Sequence, residues 1–330
     1  MKTRTDHETR ILIVGAGLAG LTAAADLRRR GYDVLVVDKG RGVGGRLATR
    51  RIGEATFDQG AQFMTARDPR FAALVGEWVE AGAATQWFVG SDGSSKSHSR
   101  WRGVPAMTGI AKYLAGGTRV LLETRIEAIR ADAGLWHASG TDGTTVSADA
   151  LLLTAPVPQS LALVEAGGVT LRQDARQILT SIDYDPCIAV MAVLDGPSAV
   201  PPPGGMEPPD EAVAWIADNQ QKGVSAIASL TIHAAADFSR RRWDSDRRET
   251  GLELLRAAEP WLGSRVSEFQ VHGWLYSKPT KFHTVGCVIS GDSPPLVFAG
   301  DAFVQPRAEG AAVSGWAAAQ ALSGALSKEK

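Results

Sequence analysis

The first forty residues combine two short apolar runs with one stretch of helical periodicity. Residues 10–14 (RILIV) and 32–37 (YDVLVV) are mostly apolar and rich in β-branched side chains. Between them, small and apolar residues recur at helical spacing from Leu18 to Gly31, and a glycine at that point is typical of a helix C-terminal cap. The pattern predicts a strand, a helix and a second strand in that order.

Later parts of the chain predict elements that return to this first unit. Residues 119–139 alternate in a way that predicts a small β-meander, and residues 150–154 and 296–299 have the pattern of buried strands. Residues 309–326 are rich in alanine and predict a final helix. The sequence therefore predicts an α/β protein with a Rossmann-like cofactor-binding domain that is built from discontinuous segments.

The intervening segments carry most of the aromatic residues and predict a second domain. We expect it to be α+β with a mixed or antiparallel sheet, an amphipathic stretch at residues 247–258 and a proline-rich surface loop at residues 197–209. The predicted boundaries are residues 8–68, 118–157 and 287–330 for the cofactor-binding domain, and residues 69–117 and 158–286 for the substrate domain.

Composition narrows the classes of function. The 330 residues carry 35 Lys and Arg against 36 Asp and Glu, a formal net charge of −1, so no global field recruits nucleic acid or an anionic membrane. The two cysteines lack the spacing of a zinc site, and no apolar run approaches the ~18 residues of a membrane span. We therefore expect a cytoplasmic protein with no metal, no nucleic-acid partner and no membrane anchor.

The run GAGLAG, residues 15–20, has the spacing of a dinucleotide-binding loop. It follows the first predicted strand and opens the predicted helix, and Asp38 comes 38 − 15 = 23 residues after Gly15. An acidic residue about 20 positions into this motif accepts hydrogen bonds from the adenosine ribose. Its charge also opposes a 2′-phosphate, which disfavours NADP as the bound cofactor.

Each glycine has a separate role in such a loop. Gly15 permits the tight turn, Gly17 lets a diphosphate approach the N–H groups at the positive end of the helix, and Gly20 lets helix and strand pack closely. The predicted cofactor-binding residues of this first unit are Gly15, Gly17, Leu18, Ala19, Gly20, Asp38 and Lys39.

A second glycine-rich run distinguishes FAD from NAD as the cofactor. The stretch DKGRGVGGR, residues 38–46, resembles the second glycine-arginine motif of the amine-oxidase and desaturase class of flavoproteins. The resemblance implies that Gly45 and Arg46 lie along the diphosphate and flavin of FAD. Neither cysteine matches a flavin-linking position of the class, so we expect the FAD to be bound non-covalently.

The C-terminal stretch FAGDAFVQPRAEGAAVSG resembles the closing motif of the same class. The resemblance implies that Asp301 meets the diphosphate or the ribityl chain. Gly310, Ala311 and Ala312 open the last predicted helix. Its N–H groups and dipole are expected to stabilise negative charge on the N1–C2=O edge of the reduced flavin.

Over its whole length the chain resembles bacterial renalase-like proteins. The resemblance implies oxidation of the 2- and 6-dihydro isomers of NAD(P) to NAD(P)+ by hydride transfer, with molecular oxygen reduced to hydrogen peroxide. Such a transfer needs no dedicated general base, because the cofactor does the electron chemistry. The segments that carry the resemblance are residues 15–20, 38–46, 57–71, 231–239, 272–279 and 300–315, of which DQGAQFMTARD is the most specific.

Four residues form the predicted catalytic group. Gln62 and Phe63 are expected near the isoalloxazine, with Ala61 and Gln62 as cofactor contacts, although a buried structural turn fits this stretch equally. Residues 231–239 are expected to form a strand, in which His233 matches a position of the resemblance. A hydrogen-bonded sheet histidine is the competing interpretation. Trp274 is placed to stack on the nicotinamide, unless it belongs to the core.

Two other functions remain open on the same residues. An amine oxidase or a carotenoid-type desaturase would share every cofactor residue and differ only in the central domain, where the sequence reveals no aromatic cage for an amine. A flavin-binding redox sensor without turnover is the third interpretation. Residues 201–203, residues 240–242 and the pair Ala302-Phe303 depart from the family pattern, so the substrate pocket could differ from that of the family.

Overall fold

The computed structural model describes residues 6–91, 97–292 and 294–327. A mixed eight-stranded sheet and an antiparallel five-stranded sheet dominate it, accompanied by two two-stranded hairpins. The strands are β1 (Asp6–Val14), β2 (Val34–Val37), β3 (Thr49–Ile52), β4 (Ala55–Asp58), β5 (Ala84–Ser91), β6 (Ser97–Gly103), β7 (Arg119–Leu121), β8 (Ile126–Asp132), β9 (Leu135–Gly140), β10 (Thr145–Leu153), β11 (Asp183–Leu194), β12 (Gly205–Met206), β13 (Val213–Asp218), β14 (Ser229–Ala234), β15 (Val266–Lys281), β16 (Val288–Asp292) and β17 (Pro295–Phe298).

Helices cover both faces of the larger sheet. Ile13 of β1 packs in one apolar core with α1, α3 and α9, whereas Leu12 faces a second core with α4 and α5. A strand that is buried on both faces is expected to be continuously apolar, as residues 11–14 are. The helices are α1 (Leu18–Arg29), α2 (Pro69–Glu80), α3 (Thr108–Ala115), α4 (Val157–Ala166), α5 (Gln173–Thr180), α6 (Ala236–Arg241), α7 (Arg247–Ala257), α8 (Glu259–Leu262) and α9 (Ala308–Ser327), with 3-10 turns at Gly45–Leu47 and Asp301–Phe303.

The larger sheet confirms the predicted Rossmann-like fold. Its strand order is β16-β17-β10-β1-β2-β7, with β9 and β8 added beside β10. Strand β1 is parallel to β2 and β10, and β10 is parallel to β17. Val14, Leu153 and Phe298 lie in register, so three strands that are distant in sequence end at one edge. The loops that follow these strands meet there, as ligand-binding loops do in open α/β sheets.

The second sheet is antiparallel, in the order β12-β13-β14-β11-β15. Alternate residues of β11 face opposite sides of it. Ile188 and Val190 lie in an apolar core with Leu254 of α7, and Met191 packs against Phe57 of the β3–β4 hairpin. The face that carries Met191 therefore looks toward the hairpin that follows the second glycine-rich run.

Two local predictions differ from the structure. The run 231–239 is not one strand, because β14 ends at Ala234 and α6 begins at Ala236. The helical turn buries Phe238 and lets the Ser239 hydroxyl accept a hydrogen bond from the Ile188 amide at 3.0 Å. Residues 119–139 are also not a simple meander: β7 pairs in parallel with β2, and the antiparallel pairing is confined to β8, β9 and β10.

The packing bears on how the chain divides into domains. Helices α2 and α3 contribute to the same core as α1 and α9, and α4 and α5 pack under the larger sheet. The predicted division assigned these four helices to the substrate domain, and the boundaries remain a prediction.

None of the described helices combines the length and the apolar character of a membrane span.

Candidate functional site

The first glycine loop combines two tightly packed glycines with one that faces open space. Gly15 has φ +115°, and a methyl group at Gly20 would lie 2.1 Å from the Gly15 carbonyl oxygen. At Gly17 a methyl group would meet nothing within 4 Å. Gly17 is the N-cap of α1, no side chain caps this helix, and its first turn holds no acidic residue. The amides that begin at Leu18 and Ala19 are therefore open to an anion.

Asp38 is fixed at the end of β2 by two backbone amides. Its Oδ2 accepts from the Ala16 amide at 2.7 Å, and its Oδ1 accepts from the Gly40 amide at 2.7 Å. Carboxylate oxygens have further lone pairs, so the predicted contact with a ribose remains available. The neighbouring Lys39 is exposed and donates to Gln159 of α4 at 3.0 Å.

The second glycine-rich run packs directly on the first. The Gly44 amide donates to the Ala16 carbonyl at 2.8 Å, and Gly44 forms a bridge with Gly17. A methyl group at Gly45 would lie 3.4 Å from the Gly17 Cα. The following 3-10 turn carries Arg46. Sequence spacing gave no indication that the two glycine motifs touch.

Arg46 and Asp301 form a bidentate ion pair. The two hydrogen bonds measure 2.9 and 2.6 Å, and Arg46 also donates to the Ser277 carbonyl at 2.9 Å. Burial opposes the charge of Arg46, but the charge and hydrogen bonds of Asp301 outweigh it and raise its pKa. One third of the Arg46 side chain stays exposed (33%), against 9% for Asp301. The two predicted cofactor residues thus bind each other, at a place that a ligand can reach.

The start of α9 lies at the same edge of the sheet. A methyl group at Gly310 would lie 2.1 Å from the Gln305 carbonyl oxygen, so only glycine fits there. Gly310 and Ala312 are buried, and Ala311 is half-buried. Helices α1 and α9 pack closely at Ala19 and Gly315, where an added methyl would lie 2.4 Å from the Ala19 oxygen. The structure thereby brings the predicted helix α9 beside the first glycine loop.

The stretch 59–63 links Arg46 to the antiparallel sheet. The Ala61 amide donates to the Arg46 carbonyl at 2.8 Å. On the other side, the Gln59 carbonyl accepts from His233 Nε2 at 3.2 Å and from Trp274 Nε1 at 3.0 Å. All four predicted catalytic residues are therefore gathered around one short stretch, although they come from distant parts of the sequence.

Sheet register places four paired residues side by side on the face toward this stretch. This row consists of Trp215, His233, Ala189 and His272, and Trp274 follows two residues after His272 on the same face. Trp215 pairs with His233, His233 with Ala189, and Ala189 with His272. The His272 and Trp274 rings lie 4.4 Å apart, edge to face. Ala189 is the small residue of the row and leaves room between the two histidines. Trp215 and His272 were not predicted, because the pairing of β13, β14, β11 and β15 is not visible in the sequence.

His233 is a neutral histidine under ordinary conditions. Burial lowers its pKa to about 4, with the Gln59 hydrogen bond and the Lys222 charge as smaller influences in opposite directions. Because a carbonyl can only accept, Nε2 carries the proton and Nδ1 is the acceptor nitrogen. His233 is thus a hydrogen-bonded sheet histidine, and its role as a site residue stays a prediction.

Phe63 belongs to an aromatic cluster, defined here as Phe63, Trp87 and Trp215. The Phe63 ring centroid lies 5.4 Å from Trp215 and 6.5 Å from Trp87. Arg100 lies 4.3 Å over Phe63, and Lys222 lies 5.0 Å from the Trp87 ring. Within the described residues, the buried indole nitrogen of Trp215 has no hydrogen-bond partner. Two faces of this cluster are thus already occupied by cations.

Gln62 points away from solvent into a buried polar network. Its Nε2 donates to the Asp58 carbonyl at 2.5 Å and to the Gly60 carbonyl at 3.0 Å, and its Oε1 accepts from Lys222 at 3.3 Å. Lys222 also pairs with the Asp58 carboxylate at 2.8 Å, with both side chains fully buried. Lys222 was not predicted, since the run DNQQKG that contains it has the composition of an ordinary polar loop.

The residues present fit FAD. The space above Gly17, the uncapped start of α1 and the partly exposed Arg46 suit a diphosphate. Beyond them, the buried side-chain oxygen of Gln59 has no partner among the described residues, which leaves an acceptor for a bound cofactor. Burial raises the pKa of Cys187 to about 12 and that of Cys287 to about 11, so neither is a reactive thiolate. The described residues hold no cluster of metal ligands.

The fold and this cofactor cradle are those of an FAD-dependent oxidoreductase. A profile of NAD(P)-binding Rossmann-like domains matches residues 13–78. A profile of flavin containing amine oxidoreductases matches residues 78–323, well over half of the chain. The chain belongs to this family of flavin containing amine oxidoreductases.

Two relatives match the chain over very different lengths. Renalase of Mus musculus is 24% identical over 328 residues, which cover 92% of this chain and 95% of renalase. The putative flavin-containing monoamine oxidase AofH of Mycobacterium tuberculosis is 40% identical over 67 residues, which cover 20% of this chain and only 15% of that protein. The second match is confined to a small part of a longer relative.

Solved structures share the fold over nearly the whole chain. Putrescine oxidase bound to putrescine superimposes with a TM-score of 0.72 at 14% identity, covering 97% of this chain and 100% of that one. A putative protoporphyrinogen oxidase from Exiguobacterium sp. 255-15 gives 0.71 at 13% identity, covering 95% and 98%. At these identities the likeness shows the fold alone.

Proposed function

We propose that the chain is a renalase-like FAD oxidase of the cytoplasm, whose substrates are the 2- and 6-dihydro isomers of NAD(P). The conversion removes one hydride from the dihydronicotinamide ring and leaves the aromatic pyridinium of NAD(P)+. Its two electrons, with the hydride's proton and one more from solvent, reduce molecular oxygen to hydrogen peroxide. When bound, FAD supplies the two-electron acceptor between these half-reactions.

The main observation in support of this proposal is positive charge near Trp274. His272 packs against Trp274, and its pKa is lowered first by burial and then by the positive charges of Arg50 and Arg247. Asp58 and Asp301, two carboxylates of the site, are already paired with Lys222 and Arg46. The positive charge of Arg50, which donates to Gln270 on the same face of β15 as His272, favours a substrate that carries a diphosphate and disfavours a protonated amine.

The side chains of the row have roles that suit a nicotinamide ring. Trp274 is held by its hydrogen bond to the Gln59 carbonyl, so its ring can stack on a flat substrate without further ordering. His233 is neutral, and its Nδ1 can accept a hydrogen bond from the carboxamide N–H₂ of the nicotinamide. These contacts orient the ring, and no residue of the row needs to remove a proton.

An amine oxidase is the second candidate, and the aromatic cluster of Phe63, Trp87 and Trp215 favours it. Aromatic faces attract cations, and a cage of this kind suits a protonated amine. In this chain, however, Arg100 and Lys222 lie over two of the rings. Their charges would repel a second cation. The coverage of mouse renalase, 92% of this chain, further supports the first candidate.

Anaerobic mixing separates the two candidates. FAD-loaded protein is mixed with 6-dihydro-NAD and, in parallel, with putrescine, while the visible absorbance of the flavin is followed. We expect rapid bleaching with 6-dihydro-NAD and none with putrescine. Bleaching by the amine alone would replace the proposed substrate with an amine, and bleaching by neither would leave the flavin-binding sensor as the remaining interpretation.

An Arg50→Gln variant is the matched test of the charge argument. Arg50 is half-buried and donates to Gln270 at 3.1 Å, away from the proposed FAD contacts. We expect the variant to bind 6-dihydro-NAD about tenfold more weakly, which is the size of one lost charge-assisted contact, with little change in the limiting bleaching rate. The exposed Arg51→Gln, one residue along the same strand, serves as the control and should behave as the unmodified protein.

A further inference from the structure

Lys222 is a lysine without any exposed surface on its side chain, beside the stretch proposed to contact FAD. An ammonium group in such a place is costly unless its donors are satisfied. Its Nζ donates to Asp58 Oδ2 at 2.8 Å and to Gln62 Oε1 at 3.3 Å, and the Trp87 ring centroid lies 5.0 Å away. Two acceptors and one aromatic face account for its three N–H groups.

The hydrogen-bond geometry fits an ion pair. Nζ of Lys222 lies 2.8 Å from Asp58 Oδ2. Asp58 Oδ1 accepts from the Thr49 hydroxyl at 2.9 Å and from the Met107 amide at 2.9 Å, so donors lie beside both oxygens of this carboxylate. Burial lowers the pKa of Lys222, and the charge and hydrogen bond of Asp58 oppose this shift.

A rigid turn holds Lys222 in position. The Asp218 carboxylate accepts from the amides of Gln220 and Gln221, at 2.8 and 2.9 Å, and the Lys222 amide donates to the Asp218 carbonyl. In the same turn, Asn219 Oδ1 accepts from the Asp58 amide at 3.4 Å. The turn after β13 thus contacts both the backbone and the carboxylate of Asp58, across more than 160 residues of sequence.

The ion pair is connected to the proposed flavin contacts through Gln62. The amide group of Gln62 joins Lys222 to the carbonyls of Asp58 and Gly60, which fixes the shape of residues 58–62. Gly60 packs on Arg46, since a methyl group there would lie 2.1 Å from the Arg46 carbonyl oxygen. A change in the Lys222 contacts is therefore transmitted to the backbone beside Arg46.

We propose that Lys222 is a positioning residue of the flavin site, which holds residues 58–63 against FAD and maintains the flavin reduction potential by neutralising Asp58. It acts through Asp58 and Gln62 and does not touch the substrate. Without Lys222, the unpaired Asp58 carboxylate would disfavour the reduced, more negative form of the flavin. The proposal concerns FAD binding by this family member and does not depend on which substrate is oxidised.

Three variants test the proposal with readouts that need no substrate. Lys222→Met removes the charge at similar length. Lys222→Met combined with Asp58→Asn removes both charges, and a buried pair replaced as a unit often regains stability that a single replacement loses. Arg10→Met is the matched control, because Arg10 also pairs with an aspartate, Asp149, at 2.7 Å, on a strand of the cofactor sheet. For each variant we would measure thermal unfolding, the FAD dissociation constant and the flavin midpoint potential.

The proposal predicts a separation between folding and flavin properties. Lys222→Met should bind FAD about tenfold more weakly and lower the midpoint potential by about 30 mV, equivalent to a tenfold change in the two-electron equilibrium. The double variant should recover thermal stability but not FAD affinity, and Arg10→Met should keep both flavin readouts. If Lys222→Met keeps the midpoint potential, or if the double variant folds with unchanged FAD affinity, Lys222 is only a structural residue and the proposal is wrong.

Discussion

Two ion pairs lie beside the stretch 59–63, which connects the cofactor sheet to the substrate sheet, and they differ in access. Lys222 and Asp58 have fully buried side chains, and every polar atom of the pair has a partner. Arg46 and Asp301 also make two good hydrogen bonds, but 33% of the Arg46 side chain is exposed. One pair is closed to ligands, and the other is open to them.

The difference explains how similar chemistry serves two purposes. A closed pair cannot exchange its partners for a ligand, so its contribution is to fix the backbone around it. An open pair retains a donor group that can turn toward a diphosphate, which accepts bidentate hydrogen bonds well. The same arginine-to-aspartate contact that stabilises the protein without cofactor can therefore be shared with FAD.

The largest expected effect is on folding at the closed pair. Asp58→Ala leaves Lys222 buried without its carboxylate, and we expect a loss of about 3–5 kcal/mol in the free energy of unfolding. Arg46→Met at the open pair should lose only roughly 1–2 kcal/mol, because solvent reaches the remaining Asp301 from that side. Chemical denaturation of both proteins without FAD checks the ranking. Equal losses would remove the distinction between the pairs.

At the open pair the larger effect should be on cofactor affinity. Arg46→Met removes a charge-assisted contact to the diphosphate, so we expect the FAD dissociation constant to rise at least about tenfold. Fluorescence titration of the protein with FAD measures this constant. Unchanged affinity would show that Arg46 serves Asp301 alone.

Two glycines of the first loop sharpen the contrast between closed and open positions. At Gly20 an added methyl meets the Gly15 carbonyl oxygen at 2.1 Å, so Gly20→Ala should destabilise the protein by about 1–3 kcal/mol. At Gly17 nothing lies within 4 Å, so Gly17→Ala should fold normally and lose FAD affinity about tenfold. Thermal unfolding should show Gly20→Ala as the less stable variant, and FAD titration should show Gly17→Ala as the weaker binder. A Gly17→Ala protein with full affinity would place the diphosphate elsewhere.

The cofactor half of the site could be predicted because its signals are local. Gly15, Gly17 and Asp38 lie on one strand-helix-strand unit, and their spacing follows from the geometry of that unit. Arg46 and Asp301 were singled out from motifs that follow predicted strands. Their mutual ion pair was not predicted, since two motifs that each suit a diphosphate do not reveal that they meet without it.

The substrate half could be predicted only in part, because it is assembled by long-range strand pairing. His233 and Trp274 were predicted as site residues, and both donate to the Gln59 carbonyl. The register that brings Trp215 and His272 into the same row depends on four strands. A lone lysine in a polar turn carries no sign of burial. The contact between Lys222 and Asp58 forms because the fold places the turn after β13 against Asp58, and the sequence does not reveal this placement.

A further expected effect is a pH dependence of stability from His233. Burial holds its pKa at about 4, below the ordinary value of 6.5, so between these values the unfolded chain binds a proton that the folded chain does not. The free energy of unfolding should therefore fall as pH falls from about 6.5 toward 4. Denaturation of the protein and of His233→Gln across this range should show a shallower slope for the variant. An identical slope would mean that His233 is protonated in the folded protein.

The proposed reaction is tested most directly by its stoichiometry in air. FAD-loaded protein is given 6-dihydro-NAD in an oxygen electrode, and NAD+, hydrogen peroxide and consumed oxygen are measured together. We predict that the three amounts are equal throughout the reaction. Oxygen consumption that requires an amine and produces no NAD+ would contradict the assignment.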